Sequence, residues 1–294
     1  MRKDGRESRN VDDRRESTGG RGGQIDMGTL IMLAPLFKRL MRSKIGWIII
    51  AVGVVAYMNG YNPLALLGVG GPVHTQRVDK VKDDKEAKFM KTVLADTEDV
   101  WAELLPQYGI RYTEPVMVLY RGYTKSGCGA AQSQMGPFYC PVDKKVYLDL
   151  GFFDELAKKH NAPGDFAQAY VLAHEIGHHV QDLQGTLDKV QRYKQQVRSK
   201  KKANALQVRV ELQADCYAGV WAHHAQKRFN ILEPGDIEEA LNAASSIGDD
   251  TLQKEAQGYV RPDAFTHGSS AQRVAWFKRG YRSGDLRECD TFGN

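Results

Sequence analysis

Only four cysteines occur in 294 residues, and none stands in Cys-x-x-Cys spacing, which leaves no thiolate cluster of the zinc-ribbon kind to build on. Charge of either sign is missing between Lys44 and Arg77. Net charge is missing beyond residue 44: residues 1–44 hold eleven Lys and Arg against six Asp and Glu, and the remaining 30 basic and 30 acidic residues cancel. The chain's net +5 therefore belongs to this arm, and the main domain has no electrostatic basis for holding nucleic acid. Internal repeats are absent. Aliphatic residues are scarce in the first 28 positions, where Arg, Gly, Ser and Asp dominate, and residues 1–44 read as a disordered basic arm. What is present suffices for a sizeable core, with 42% hydrophobic residues.

One long hydrophobic run exists, Ile45-Gly-Trp-Ile-Ile-Ile-Ala-Val-Gly-Val-Val-Ala-Tyr-Met. Its fourteen strictly apolar residues fall short of the roughly twenty that cross a bilayer. The stretch continues past Asn59, Tyr61 and Leu64 without a charge, so residues 45–68 are predicted to form a transmembrane signal anchor. Lys38, Arg39, Arg42 and Lys44 precede it and no charge follows it closely. That asymmetry predicts an inner-membrane protein with a cytoplasmic N-terminus and a periplasmic or exterior domain. A cleaved signal peptide does not fit a leader this long and polar, and a buried core helix is the lesser alternative. Residues 69–84 read as a polar linker, and residues 85–294 as the main domain.

Within that domain, Phe89, Val93, Leu94, Val100, Trp101 and Leu104 follow helical spacing and predict a helix over 84–107. Two β-rich stretches, 115–120 and 145–150, flank a Gly- and Cys-rich excursion. After Pro163 the pattern is almost entirely helical. The fold class is α+β, mostly helical with a small sheet, preceded by one transmembrane helix. The basic cluster between Arg192 and Lys202 reads as a solvated helix face or inter-helix loop. Four cysteines permit three connectivities. Cys128 and Cys140 bracket the excursion and form the obvious local pair, which leaves Cys216 to meet Cys289. Each closure could contribute about 3 to 4.5 kcal/mol on the chain-entropy model, and pairing suits an oxidising compartment.

Residues 174–178 read His-Glu-Ile-Gly-His. On a helix, four residues bring a side chain back to within roughly 40° of its start, so His174 and His178 share one face. Two imidazoles so placed can hold one Zn2+, and a catalytic zinc takes a third protein ligand and leaves a position for water. Glu175, roughly 100° round the helix, can reach that water as general base. With eight His in the chain, the pattern arises by chance about 0.01 times in such a sequence. Its setting strengthens it. Asp165 is an N-cap candidate after a Pro-Gly pair, and Phe166, Tyr170, Ala173, Ile176 and Val180 form an apolar stripe, the signature of a buried amphipathic helix.

A second helical segment runs from Val208 to Trp221, and in it Glu211 and Asp215 are four apart on one face. Glu211 is the candidate third ligand. Asp215 then falls where it could accept a hydrogen bond from the free ring nitrogen of His174 or His178 and fix its tautomer. The plain alternative, two solvated carboxylates, sits poorly in an Ala-, Leu-, Val- and Trp-rich helix.

The Glu-x-x-x-Asp step after His-Glu-x-x-His resembles the gluzincin metallopeptidases. Nearly the whole chain resembles the bacterial neutral zinc metallopeptidase family of membrane-anchored proteins. The blocks that carry this are Gly5-Arg-Glu-Ser-Arg-Asn-Val-Asp-Asp-Arg-Arg, the stretch from Thr124 to Pro141, the His174 helix, Glu211-Leu-Gln-Ala-Asp-Cys, and Phe265-Thr-His-Gly-Ser-Ser-Ala-Gln-Arg. The resemblance implies a zincin-like domain. In related integral-membrane gluzincins a His and an Arg six residues later orient substrate, which implies that role for His267 and Arg273, with His267 steadying the oxyanion. The alternative is that His267 caps the helix begun by Gly268-Ser-Ser, with Arg273 on its surface. His179, His223 and His224 have no spacing that demands metal.

The sequence thus predicts a membrane-anchored zinc endopeptidase that hydrolyses protein or peptide substrates in the cell envelope. The alternative is a catalytically idle zinc-stabilised envelope domain that binds partners, for which Glu175 would have no use.

Overall fold

The computed structural model describes residues 1, 4–16, 79–132, 136–159 and 164–293. The expected anchor at 45–68 lies outside the described residues, and no helix among those described is long and apolar enough to cross a membrane.

Four strands, β1 (Val11–Asp13), β2 (Val116–Tyr120), β5 (Phe138–Cys140) and β6 (Lys145–Asp149), form one sheet in the order β1-β2-β6-β5. β2 is parallel to both β1 and β6, with Val11 opposite Met117 and Met117 opposite Val146. β5 runs antiparallel to β6. A separate hairpin pairs β3 (Tyr123–Ser126) with β4 (Gly129–Gln132). Met117, Leu119, Val146 and Leu148 enter the main core, whereas Val118, Tyr120 and Tyr147 gather with Ala131 and Cys140 in a smaller cluster. Burial on both faces explains why β2 reads as an unbroken apolar run and β6 as three consecutive apolar residues, Val146 to Leu148. The excursion between them is the β3–β4 hairpin plus β5. Cys128–Cys140 closes it, with Cα atoms 5.8 Å apart.

The strand β1 corrects the expectation of a disordered arm over residues 4–16. The Met117 amide donates to the Asn10 carbonyl at 2.9 Å and the Arg14 amide to the Leu119 carbonyl at 2.8 Å. The segment is held mainly by polar contacts, which a composition rule built on hydrophobicity cannot register.

The first helix, α1 (Lys80–Leu104), begins inside the expected linker. The carboxylate of Asp79 caps it, accepting from the amides of Val81 and Lys82 at 3.0 and 3.3 Å. Residues 80–84, expected in the linker, are therefore part of the domain's first helix. Phe89, Met90, Val93, Leu94, Val100, Trp101 and Leu104 line its buried face, and Pro106 sits in the short 3-10 turn Leu105–Tyr108 that ends it.

Helices follow the sheet: α2 (Leu150–Lys159), α3 (Asp165–Leu183), α4 (Thr186–Gln196), α5 (Lys200–Phe229), α6 (Asp236–Ser246), α7 (Asp249–Gln257) and α8 (Ser270–Ser283). Helix α3 is buried almost all round, its predicted stripe Phe166, Tyr170, Ala173, Ile176 and Val180 completely so. Asp165 stands in the first turn rather than at the cap, which is Gly164. The Phe166 amide instead donates to the Glu239 carboxylate of α6 at 3.1 Å. The Arg192–Lys202 cluster spans the end of α4, the break at 197–199 and the start of α5, largely exposed.

Three glycines set the helix spacing around α5. A Cβ on Gly177 would lie 2.9 Å from the Ala214 carbonyl oxygen, and one on Gly219 only 2.1 Å from that of Phe277. A Cβ on Gly280 would collide with the Cys216 carbonyl. Helices α3 and α8 thus lie backbone to backbone against α5. The disulfide Cys216–Cys289, with Cα atoms 5.6 Å apart, ties α5 to the chain after α8.

Candidate metal centre

The close contact at Gly177 places the His174 face of α3 directly against the Glu211 face of α5. Nε2 of His174 lies 3.2 Å and Nε2 of His178 lies 3.3 Å from the same oxygen, Oε2 of Glu211. Candidate ligand atoms of the three residues all fall within 4.8 Å of one another. They are the three that the sequence singles out as ligands.

Both rings are oriented from behind. Nδ1 of His174 is 2.8 Å from Oδ1 of Asp215, and a carboxylate can only accept, so that nitrogen carries the proton. Nδ1 of His178 is 2.9 Å from Oε1 of Gln181, whose own amide nitrogen donates to the Val210 carbonyl at 2.8 Å. Each ring is thereby fixed with Nε2 turned toward Glu211, the nitrogen whose lone pair a metal would take once its proton is displaced. The other oxygen of Glu211 accepts from Gln207 at 2.7 Å. Two imidazole nitrogens and one carboxylate oxygen, already convergent and tautomer-fixed, suit Zn2+ with room for further ligands.

Burial alone would lower the His174 pKa, yet the Asp215 and Glu211 carboxylates outweigh it and raise it to about 10. Burial pushes Glu211 upward, but His178 and His174 hold it well below the usual carboxylate range. For Asp215 burial is again overcome, by Arg273 and His174, and its pKa falls to about 2. The pocket therefore favours a cation between fixed anions.

Arg273 is where the structure departs most from expectation. It is only 2% exposed, so its guanidinium cannot orient a substrate. It grips Asp215 instead, Nε to Oδ2 and Nη2 to Oδ1, both at 2.9 Å. Tyr170 completes the set, its hydroxyl 2.5 Å from Oδ1 of Asp215 and 3.1 Å from Nη2 of Arg273. Asp215 is thus held against His174 by two buried donors.

His267 is exposed, at the start of the loop before α8. It does not cap that helix: Ser269 does, in a capping box with Gln272. Asp249 holds the loop, its Oδ2 accepting from the amides of Thr266, His267 and Gly268 at 2.6, 2.6 and 3.0 Å. Its Oδ1 lies 3.2 Å from Nδ1 of His267. A Cβ on Gly268 would come within 3.2 Å of Leu212 and 3.3 Å of Val208, so the loop rests on the Glu211 helix. The hydrogen bond to Asp249 raises the His267 pKa against the partial desolvation of its ring, and Glu211 adds to the rise.

Glu175 is buried in α3, and among the described residues its carboxylate makes no hydrogen bond or ion pair to the protein. Sequence reasoning missed Tyr170, read only as part of an apolar stripe, and Gln181, Gln207 and Asp249. Gln181 and Gln207 were visible in principle, at three residues after His178 and four before Glu211. Asp249 carried no such signal.

The family described as "Putative neutral zinc metallopeptidase" matches residues 1–292. The uncharacterized protein YpfJ of Escherichia coli (strain K12) is 51% identical over 293 residues, covering 98% of this chain and 97% of that protein. The uncharacterized protein Rv2575 of Mycobacterium tuberculosis is 48% identical over 203 residues, 66% of each chain. No solved structure matches the chain. On the extent of these matches, the chain belongs to the neutral zinc metallopeptidase family.

Proposed function

We propose that the chain is a zinc-dependent endopeptidase that hydrolyses peptide bonds of proteins or peptides in the cell envelope, associated with the membrane through residues 45–68. The observation that carries the chemistry is the convergence of Nε2 of His174 and His178 on Oε2 of Glu211, beside a Glu175 carboxylate that has no hydrogen-bond partner among the described residues. Zn2+ held there would acidify a water molecule and polarise the scissile carbonyl. Glu175, one residue from a ligand, takes the water's proton and delivers it to the leaving amine. His267 donates to the oxygen that gains charge in the tetrahedral state, its ring set by Asp249. Arg273 and Tyr170 fix Asp215, and Asp215 fixes His174. The two disulfides suit an oxidising compartment.

The test is zinc analysis and an unfolded-protein cleavage assay on the full chain. Glu175→Gln should bind zinc as the wild type does and show no turnover above background. Turnover at the wild-type rate in that variant would remove Glu175 from the mechanism. Glu211→Ala should lose zinc, and stoichiometric zinc at unchanged affinity would refute the ligand set.

A further inference from the structure

Residues 4–16 belong to the same compact unit as residues 79–293. The parallel pairing of β1 with β2 puts them about 4.8 Å apart, while the hydrocarbon core of a bilayer is about 30 Å thick. Paired strands of one sheet cannot lie on opposite sides of a membrane.

Contacts beyond the strand are of the kind found inside a folded domain. The carboxylate of Glu98 on α1 is 1% exposed, and its hydrogen-bond partners among the described residues all come from the arm. Ser8 donates to it at 2.5 Å, Asn10 at 2.8 Å and Arg6 at 2.9 Å. Asp83, also on α1 and 9% exposed at its side chain, takes Arg15 at 2.7 Å beside Arg121 of the domain. Detaching the arm would strip Glu98 of those partners and leave Asp83 with one of its two arginines.

We infer that residues 4–16 and residues 79–293 occupy one aqueous compartment as a single folded body. Residues 16 and 79 then stand on the same side of any membrane the protein meets. This replaces the opposite-sided arrangement that the charge asymmetry around residues 38–44 suggests. It is independent of whether the domain is a peptidase.

The experiment places a single free thiol in the full chain, at Asp4→Cys in one variant and Lys254→Cys in another, both exposed positions. The four native cysteines are paired, so the new thiol is the only one. Intact bacterial spheroplasts are treated with a membrane-impermeant maleimide, with and without detergent. Both positions should behave alike, labelled together in intact spheroplasts or protected together until detergent is added. Labelling of one in intact spheroplasts while the other needs detergent would overturn the inference. Lowered thermal stability in a Glu98→Ala variant, restored toward wild type by Glu98→Gln, would support the docked arm in the same full chain. Unchanged stability in Glu98→Ala would count against it.

Discussion

At the scale of single residues, the site is governed by groups that touch neither substrate nor metal. Asp249 gathers three backbone amides and the Nδ1 of His267. Asp249→Asn should keep zinc and lower kcat by about tenfold to a hundredfold, short of the roughly 10² to 10³ expected for His267→Ala. Because Asp249 raises the His267 pKa, its removal should also move the alkaline limb of the kcat/KM profile to lower pH. A lowered melting temperature with unchanged kcat and pH profile would assign the pair to structure alone. A second residue ties pH to stability. Burial, with Asp154 adding, raises the Glu86 carboxyl to about 7 against an ordinary value of 4.5. A raised carboxyl pKa means the folded state binds the proton more tightly, so this stability is fully present below pH 4.5 and lost as pH rises through about 7. Glu86→Gln should therefore raise the melting temperature at pH 8 relative to wild type and change little at pH 4. An equal shift at both pH values would show that the charge is not the cause.

At the scale of elements, the metal triangle depends on how closely two helices approach. Gly177 sits inside the His-Glu-x-x-His pentapeptide, and a methyl there would meet the Ala214 backbone, which cannot yield as a side-chain tip can. Gly177→Ala should push α3 from α5 and weaken zinc binding by about 10- to 100-fold, with a stability loss of about 1–3 kcal/mol. Equilibrium zinc competition and thermal melts measure both, and wild-type affinity would show that the helices tolerate separation. The helices themselves were legible in the sequence, since α3 and α5 carry apolar periodicity and the pairs His174 and His178, Glu211 and Asp215 each fall four apart. Of the partners across helices, Glu211 and Asp215 were legible against His174 and His178, and the others were not. Arg273 reads as a substrate-orienting residue, or alternatively as a surface residue of α8, and its burial is set by Asp215, a residue 58 positions away. Glycine contacts such as Gly219 with Phe277 and Gly280 with Cys216 depend on the packing angle, which no local pattern encodes. The edge strand β1 was hidden for a different reason: one apolar residue, Val11, precedes two aspartates, and ion pairs with α1 supply what hydrophobic alternation usually signals.

At the scale of the whole molecule, the candidate centre joins α3 to α5, and the disulfide Cys216–Cys289 joins α5 to the chain's last turn. Metal bound between the two central helices stabilises the native state in proportion to its affinity, because an unfolded chain offers no convergent ligands. At free zinc about 1,000-fold above the dissociation constant the gain is about 4 kcal/mol. For a domain of this size, each kcal/mol moves the melting temperature by about 2–4 °C. Chelation of the wild-type chain should therefore lower its melting temperature by about 8–16 °C, and added zinc should restore it. Glu175→Gln should show the same dependence, since Glu175 is the proposed base and not a ligand, whereas Glu211→Ala should melt at one temperature with or without chelator. Calorimetry on the three chains, each with and without chelator, makes the comparison. A wild-type melting temperature indifferent to chelation would mean that the centre holds no metal that matters to the fold, and with Glu211→Ala equally indifferent, His174, His178 and Glu211 would be a buried ion-pair cluster instead.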